Sequence, residues 1–296
     1  MSRTRVSSPA GSGGGAQVEG ASSWWQALAT GAVELLLPGA CVCCRRAHRP
    51  DEHGIVCGVC LAQLVPLTLP QCARCGHPRL SLAVPMPPGP TASETPRTAL
   101  PACRWCARLA PAIRAVRSVT RMDMGTGADL VHALKYGGWT RVAQPMAARM
   151  ARLDWPRDVV DERAALIPLP LGRARLRERG YNQATCLAMA LSAHWHVPVW
   201  ADTLVRTRDT QSQVRLTPSD RARNVSGAFV VPTHHRASLH DRHVVLVDDV
   251  ITTAATVNAA AEALLAGGAR IISCVTFGRA PDPGDRAAPD SDFIRN

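Results

Sequence analysis

Eight cysteines arranged in four C-x-x-C pairs constrain this chain more than any other feature. The pairs are Cys41/Cys44, Cys57/Cys60, Cys72/Cys75 and Cys103/Cys106, and they account for eight of the eleven cysteines. A C-x-x-C turn can set two thiolates about 2.3 Å from one tetrahedral Zn²⁺, so four pairs suit two structural Cys₄ sites. The turn chemistry agrees, with Gly58 inside the second pair and Gly76 directly after the third. A redox C-x-x-C opens a helix after a strand and normally occurs once, which does not describe this spacing. Sequential pairing, Cys41/Cys44/Cys57/Cys60 and then Cys72/Cys75/Cys103/Cys106, is favoured because the 12 residues between Cys44 and Cys57 suit a zinc ribbon. Interleaved pairing stays open at this point. Cys43 reads as a bystander, and Cys186 and Cys274, in apolar stretches, as small buried hydrophobes.

Metal rather than disulfide is the reading for a reducing compartment, and no export signal is expected at the N-terminus. The apolar run Ala27 to Leu37 contains Glu34 and is too short for a bilayer of about 30 Å. Ser, Gly and Pro dominate positions 7 to 15, where a signal peptide needs apolar residues, and Pro38 stands where a lipoprotein signal wants an aliphatic one. A cytoplasmic protein without a transmembrane span is expected. Its 46% hydrophobic content is enough to bury a core and excludes wholesale disorder. Of the 34 Lys and Arg only Lys135 is lysine, so the net charge of +11 rests on guanidinium groups. A phosphate-bearing partner explains that bias, and so does the codon usage of a GC-rich genome. The 4% aromatic content argues against an RNA module that works by base stacking.

Composition divides the chain into a Ser/Gly-rich N-terminus at 1–22, expected to be disordered, and a cysteine module at 23–110. The module opens on a short helix, Trp24 to Leu37, and is interrupted by a proline-rich loop, Ser81 to Pro101. An α/β domain follows at 111–280, then a loose tail at 281–296. In the α/β part, strands are expected at Val116–Met122, Ala165–Leu169, Val244–Val247 and Ile271–Phe277. Helices are expected at Ala128–Tyr136, Arg141–Leu153, Asn182–Trp195 and Thr253–Leu265. The alternation argues for a mostly parallel, Rossmann-like sheet covered by helices.

Within it, His243-Val-Val-Leu-Val-Asp-Asp-Val-Ile-Thr-Thr-Ala-Ala-Thr256 has the layout of a ligand site. An apolar strand ends in two carboxylates and passes through a hydroxyl-rich turn into a helix. Free N–H groups and the positive dipole end of that helix suit a phosphate. Thr252, Thr253 and Thr256 add hydroxyl donors, while Asp248 and Asp249 can accept hydrogen bonds from the vicinal hydroxyls of a ribose. Two adjacent carboxylates at a buried strand end are costly without something to bind.

These residues resemble the phosphoribosyl-pyrophosphate (PRPP) motif of type I phosphoribosyltransferases, and the chain is most similar to the ComF family. The resemblance runs from about residue 38 to 280. It rests on the cysteine pairs, Ile167-Pro-Leu-Pro170, Arg177-Glu-Arg-Gly-Tyr-Asn-Gln183, Gln211 to Gln213, Arg221-Ala-Arg-Asn-Val225 with Gly227-Ala-Phe229, and the Asp-Asp-Val motif, all in ComF order. It implies a type I phosphoribosyltransferase fold behind a small zinc-ribbon module. Pro168 to Arg173, including Pro170 and Leu171, would be the pyrophosphate loop, with Arg173 facing the leaving group. Arg173, Asp248 and Asp249 would be the catalytic residues, the two carboxylates on the ribose hydroxyls. Thr252, Thr253, Ala254, Ala255 and Thr256 would cradle the 5′-phosphate, and Arg177, Arg179 and Gly180 would add positive charge and close approach. Arg173, Arg175, Arg177 and Arg179 alternate and so make no single helical face. Lys135 would contact phosphate or substrate, and Arg206 to Asn224, containing Arg221, would form a flexible hood.

One departure matters: Ala254 stands where the family pattern has glycine. If positive φ is needed there, the alanine costs on the order of 1 kcal/mol, roughly fivefold in affinity. The resemblance implies two classes of function. One is transfer from PRPP with Mg²⁺ on the diphosphate, to an acceptor the sequence does not name. The other is a scaffold that handles single-stranded DNA during uptake, with uptake and recombination proteins as partners and the arginines tracking phosphates.

Overall fold

A computed structural model describes residues 39–48, 54–79, 103–122, 125–208 and 227–281. The expectations for the Trp24 helix, the Ser81 to Pro101 loop, Arg221 and the rest of 209–226, and the tail from 282 fall outside these residues.

The strands are β1 (Ile113–Arg121), β2 (Arg163–Pro168), a short pair β3 (Val205–Arg206) and β4 (Phe229–Val230), β5 (His243–Ile251) and β6 (Ile271–Arg279). Strands β1, β6, β5 and β2 form one sheet in that order with all pairs parallel, while β3 and β4 pair antiparallel beside it. The near-continuous apolar run of β5 follows from burial on both sides. Val244 and Leu246 enter one core layer, and Val245 and Val247 the other. Cys274 is fully buried in β6, as a small hydrophobe should be.

The helices are α1 (Gly58–Ala62), α2 (Thr126–Tyr136), α3 (Ala143–Ala151), α4 (Arg157–Glu162), α5 (Arg173–Arg179), α6 (Gln183–Trp195), α7 (Arg236–Leu239) and α8 (Ala255–Ala266). Where Arg141–Leu153 was expected as one helix, a 3₁₀ turn at Thr140–Val142 precedes α3. Pro145 falls in the first turn of α3, where its missing N–H removes no helical bond. Helix α5 corrects the reading of Arg173 to Arg179 from their alternation. Arg173, Arg175 and Arg177 are exposed, so no apolar face is required, and Gly180 closes the helix at φ +80°.

The cysteine module is packed into the domain on both faces. Cys41, Val56, Cys60 and Leu61 share a core with Leu130, Leu134 and Met146, and Cys72, Cys75, Trp105 and Leu109 share the other with Ile113, Val116 and Leu264. Asn258 of α8 accepts from the Ala110 N–H at 3.0 Å and donates to the Arg108 carbonyl at 2.6 Å. The module also covers one sheet edge. The Val116 N–H donates to the Arg74 carbonyl at 2.8 Å, and Thr120 Oγ1 donates to the Val65 carbonyl at 2.6 Å. At the opposite edge the Leu166 N–H donates to the Pro198 carbonyl at 2.8 Å. Among the described residues no helix is long and apolar enough to cross a membrane.

Candidate functional site

The carboxyl ends of β2 and β5 open onto a cavity of about 930 Å³. Asp248 and Asp249 line it with Lys135, Pro170, Leu171, Arg179, Thr252, Ala254 and Thr256, which brings together segments far apart in the chain. Arg173 and Ala255 are not part of the lining, nor is Thr253, whose buried Oγ1 has no hydrogen-bond partner among the described residues. Arg175, Glu178, Arg206 and Gln183 also line the cavity.

Asp249 is 3% exposed and carries an ion pair with Lys135 of α2. Gln183 Nε2 donates to Asp249 Oδ1 at 3.5 Å, and Arg179 donates to Gln183 Oε1 at 2.5 Å. The Arg179 guanidinium lies 5.4 Å from the Tyr136 ring centroid. Lys135, singled out as a phosphate or substrate contact, is therefore the counter-charge of Asp249. Burial disfavours its ammonium, yet the Asp249 carboxylate outweighs that and holds its pKa above the ordinary lysine value. Asp248 has no ion pair among the described residues. Burial, and then the neighbouring Asp249 charge, push it well above the usual carboxylate range.

Tyr181-Asn182-Gln183 does more than start a helix. Tyr181 donates its hydroxyl hydrogen to the Leu134 carbonyl at 2.5 Å, bracing the helix that bears Lys135. Asn182 caps α6 by accepting from the Ala184 N–H at 3.0 Å, and donates to the Leu169 carbonyl at 2.9 Å, fixing the loop after β2. Gln183 meets Asp249. Single residue types signal none of this; the clue was a run of three polar groups between a left-handed glycine and an apolar helix.

Ala254 adopts φ +64° and ψ −2° ahead of α8, the left-handed conformation its glycine-like position implied. A left-handed alanine stores backbone strain on the order of 1 kcal/mol in the fold itself. Ala254→Gly is expected to change stability by less than about 1 kcal/mol. Relief of strain of about that size is offset by the greater freedom of the unfolded chain, about 0.4–1 kcal/mol. Ala254→Val, β-branched and buried, should cost roughly 2–3 kcal/mol. Thermal unfolding of the two variants checks both, and equal effects would refute the assignment of strain.

The cysteines form the two sequential tetrads. Cys41/Cys44/Cys57/Cys60 and Cys72/Cys75/Cys103/Cys106 each hold four sulfurs within 4.8 Å of one another. The Sγ separations are 3.8 Å for Cys41–Cys60 and Cys44–Cys57, and 3.5 Å for Cys72–Cys106 and Cys75–Cys103. Ligands about 2.3 Å from a tetrahedral ion lie about 3.8 Å apart, so both tetrads fit one metal each. Burial opposes ionisation of Cys41 and Cys72, but backbone N–H groups around each sulfur lower them to about 6 and about 7. Burial and neighbouring sulfurs push Cys60 and Cys75 up, a crowding that a central cation relieves. Cys43 stands outside the tetrad.

Residues 182–295 match the phosphoribosyl transferase domain. The chain is 28% identical over 227 residues to competence protein ComFC of Bacillus subtilis, covering 74% of this chain and 81% of that protein. It is 31% identical over 246 residues to DNA utilization protein YhgH of Salmonella typhi, covering 80% of this chain and 96% of that one. The chain belongs to the ComF family. Competence protein F of Haemophilus influenzae is 39% identical over 94 residues, 32% of this chain and 41% of that protein. The ComF assignment accounts for both halves of the structure, the parallel sheet with its carboxylate pair and the cysteine tetrads packed on either face.

Proposed function

We propose that the cavity binds the ribose 5-phosphate part of PRPP, and that this ComF protein takes part in DNA utilization, the role in the name of its YhgH relatives. The observation that carries the reading is the joint opening of the Asp248–Asp249 pair and the Thr252 to Thr256 turn onto one cavity. A phosphate on that turn meets the N–H groups at the start of α8. The sugar hydroxyls then lie toward the carboxylates, with Asp248 the one not ion-paired. In a transferase reaction a nitrogen nucleophile bonds to C1′ as the C1′–O bond to diphosphate breaks, and the electron pair leaves with the diphosphate. The loop after β2, which brings Leu169, Pro170 and Leu171 to the cavity, and Arg175 would stabilise that departing charge. Mg²⁺ bound with PRPP would neutralise part of the leaving group, and Asp248 would be the carboxylate of the pair to meet it, since Asp249 is ion-paired with Lys135. Both tetrads are read as structural zinc sites, one ion each.

Ribose 5-phosphate and PRPP with Mg²⁺ are expected to bind in calorimetry, and 2-deoxyribose 5-phosphate more weakly by about 1–3 kcal/mol, the cost of an acceptor left unpaired. Equal affinity for the two sugars would end the reading. A second reading is single-stranded DNA on the exposed Arg173, Arg175 and Arg177 of α5, beside the cavity. Its affinity would fall steeply with salt. Displacement of such DNA by PRPP would place both on one surface.

A further inference from the structure

We propose that Arg279 is the buried counter-charge of the second cysteine tetrad, and that through it a metal ion at this tetrad holds one wall of the cavity in shape. Arg279 ends β6 and is 2% exposed. Its Nη2 donates to the Cys75 carbonyl at 2.5 Å, and its guanidinium carbon lies 4.3 Å from the Trp105 ring centroid. Trp105 stands between Cys103 and Cys106, so the cation is in contact with both knuckles of the tetrad. Its Nε and Nη1 are buried without a hydrogen-bond partner, and no carboxylate pairs with it among the described residues. A buried cation is retained only against an opposing charge. A divalent ion on four thiolates carries a net charge of about −2 and supplies that opposition.

The other arginines nearby are occupied differently. Arg74 donates Nε to the Ile113 carbonyl at 3.0 Å and Nη2 to the Ala110 carbonyl at 2.8 Å. Arg117 donates Nε to the Asp154 carbonyl at 2.7 Å and Nη2 to the Ala73 carbonyl at 2.9 Å. Both are half-buried, so water reaches them. Each tetrad has two buried cysteines, Cys41 and Cys60 in the first and Cys72 and Cys75 in the second, but only the first has an exposed member, Cys44, which opens its charge to solvent.

The backbone carries the coupling onward. The Arg279 carbonyl accepts from the Met122 N–H at 2.9 Å, Arg279 pairs in register with Ile251, and the Ala280 N–H donates to the Ile251 carbonyl at 2.9 Å. Met122, Ile251 and Ala280 all line the cavity. This holds whatever ligand the cavity takes.

The test uses the full, zinc-loaded chain. Zinc is withdrawn by a chelator and freed cysteines are alkylated and mapped by peptide mass spectrometry. Arg279→Met should speed alkylation of Cys72, Cys75, Cys103 and Cys106 by at least about tenfold, the size expected when a group supporting metal ligands is lost. Cys41, Cys44, Cys57 and Cys60 should be unaffected, and Arg279→Lys, which keeps the charge, should lie closer to wild type. Acceleration at both tetrads alike, or at neither, overturns the proposal. Should Arg279→Met fail to fold, hydrogen exchange on the wild type decides: emptying the second tetrad must speed exchange at Met122 and Ala280, and unchanged protection there overturns the coupling.

Discussion

Cys60→Ser is expected to unfold the first tetrad and drag down the fold around it, with zinc falling from about two ions per chain to about one. The magnitude follows from comparing two energies. Structural zinc contributes on the order of 10–16 kcal/mol of apparent binding energy that is also folding energy, against a total stability of about 5–15 kcal/mol for a domain. Cys60 shares a core with Leu130, Leu134 and Met146, so the loss cannot stay within the module. Elemental analysis of the reduced protein and a thermal melt followed by circular dichroism measure both effects. Zinc-free wild type, or a variant that melts like wild type, would contradict the assignment.

The second large effect belongs to the pair in the cavity. Asp249→Asn leaves the Lys135 ammonium without its partner. The expected loss is about 3 kcal/mol, at the low end of the range for unpairing a buried ion pair, because 24% of the Lys135 side chain reaches solvent. Adding Lys135→Met should restore most of that, since the stranded charge goes with it, and a double-mutant cycle in urea reads the coupling directly. A coupling near zero would show that the two groups stabilise independently. The pair also has a pH signature. The Lys135 pKa is higher folded than unfolded, so its contribution is complete below the ordinary value of 10.5 and is lost as pH rises through the folded value.

The parts of this fold that the chain announces are those with strong local chemistry. Strand β5 was legible because a β-branched run ending in two carboxylates suits few environments, and each of the four sheet strands overlaps the segment expected for it. The tetrads were legible from spacing, although their sequential pairing needed the observed sulfur positions. Ala254 was legible as a departure, and its φ of +64° explains why glycine suits the position. What escaped is long-range. Nothing near Lys135 announces a carboxylate from β5, and nothing near Gln183 announces that it will meet Asp249. Helix α5 escaped for the opposite reason: periodicity detects faces, and a short exposed helix has none to detect.

The hydrogen bonds from Val116 and Thr120 to the cysteine module close off a parallel sheet that would otherwise end in open backbone. Strand β1 is an edge, and an uncovered edge is a template for a second chain. Residues Val65 and Arg74 precede β1, so the cover emerges from the ribosome before the strand it shields. Were the cysteine-rich module to lose its order, that edge would be uncovered and would offer neighbours a free strand at the moment when unfinished chains are most crowded.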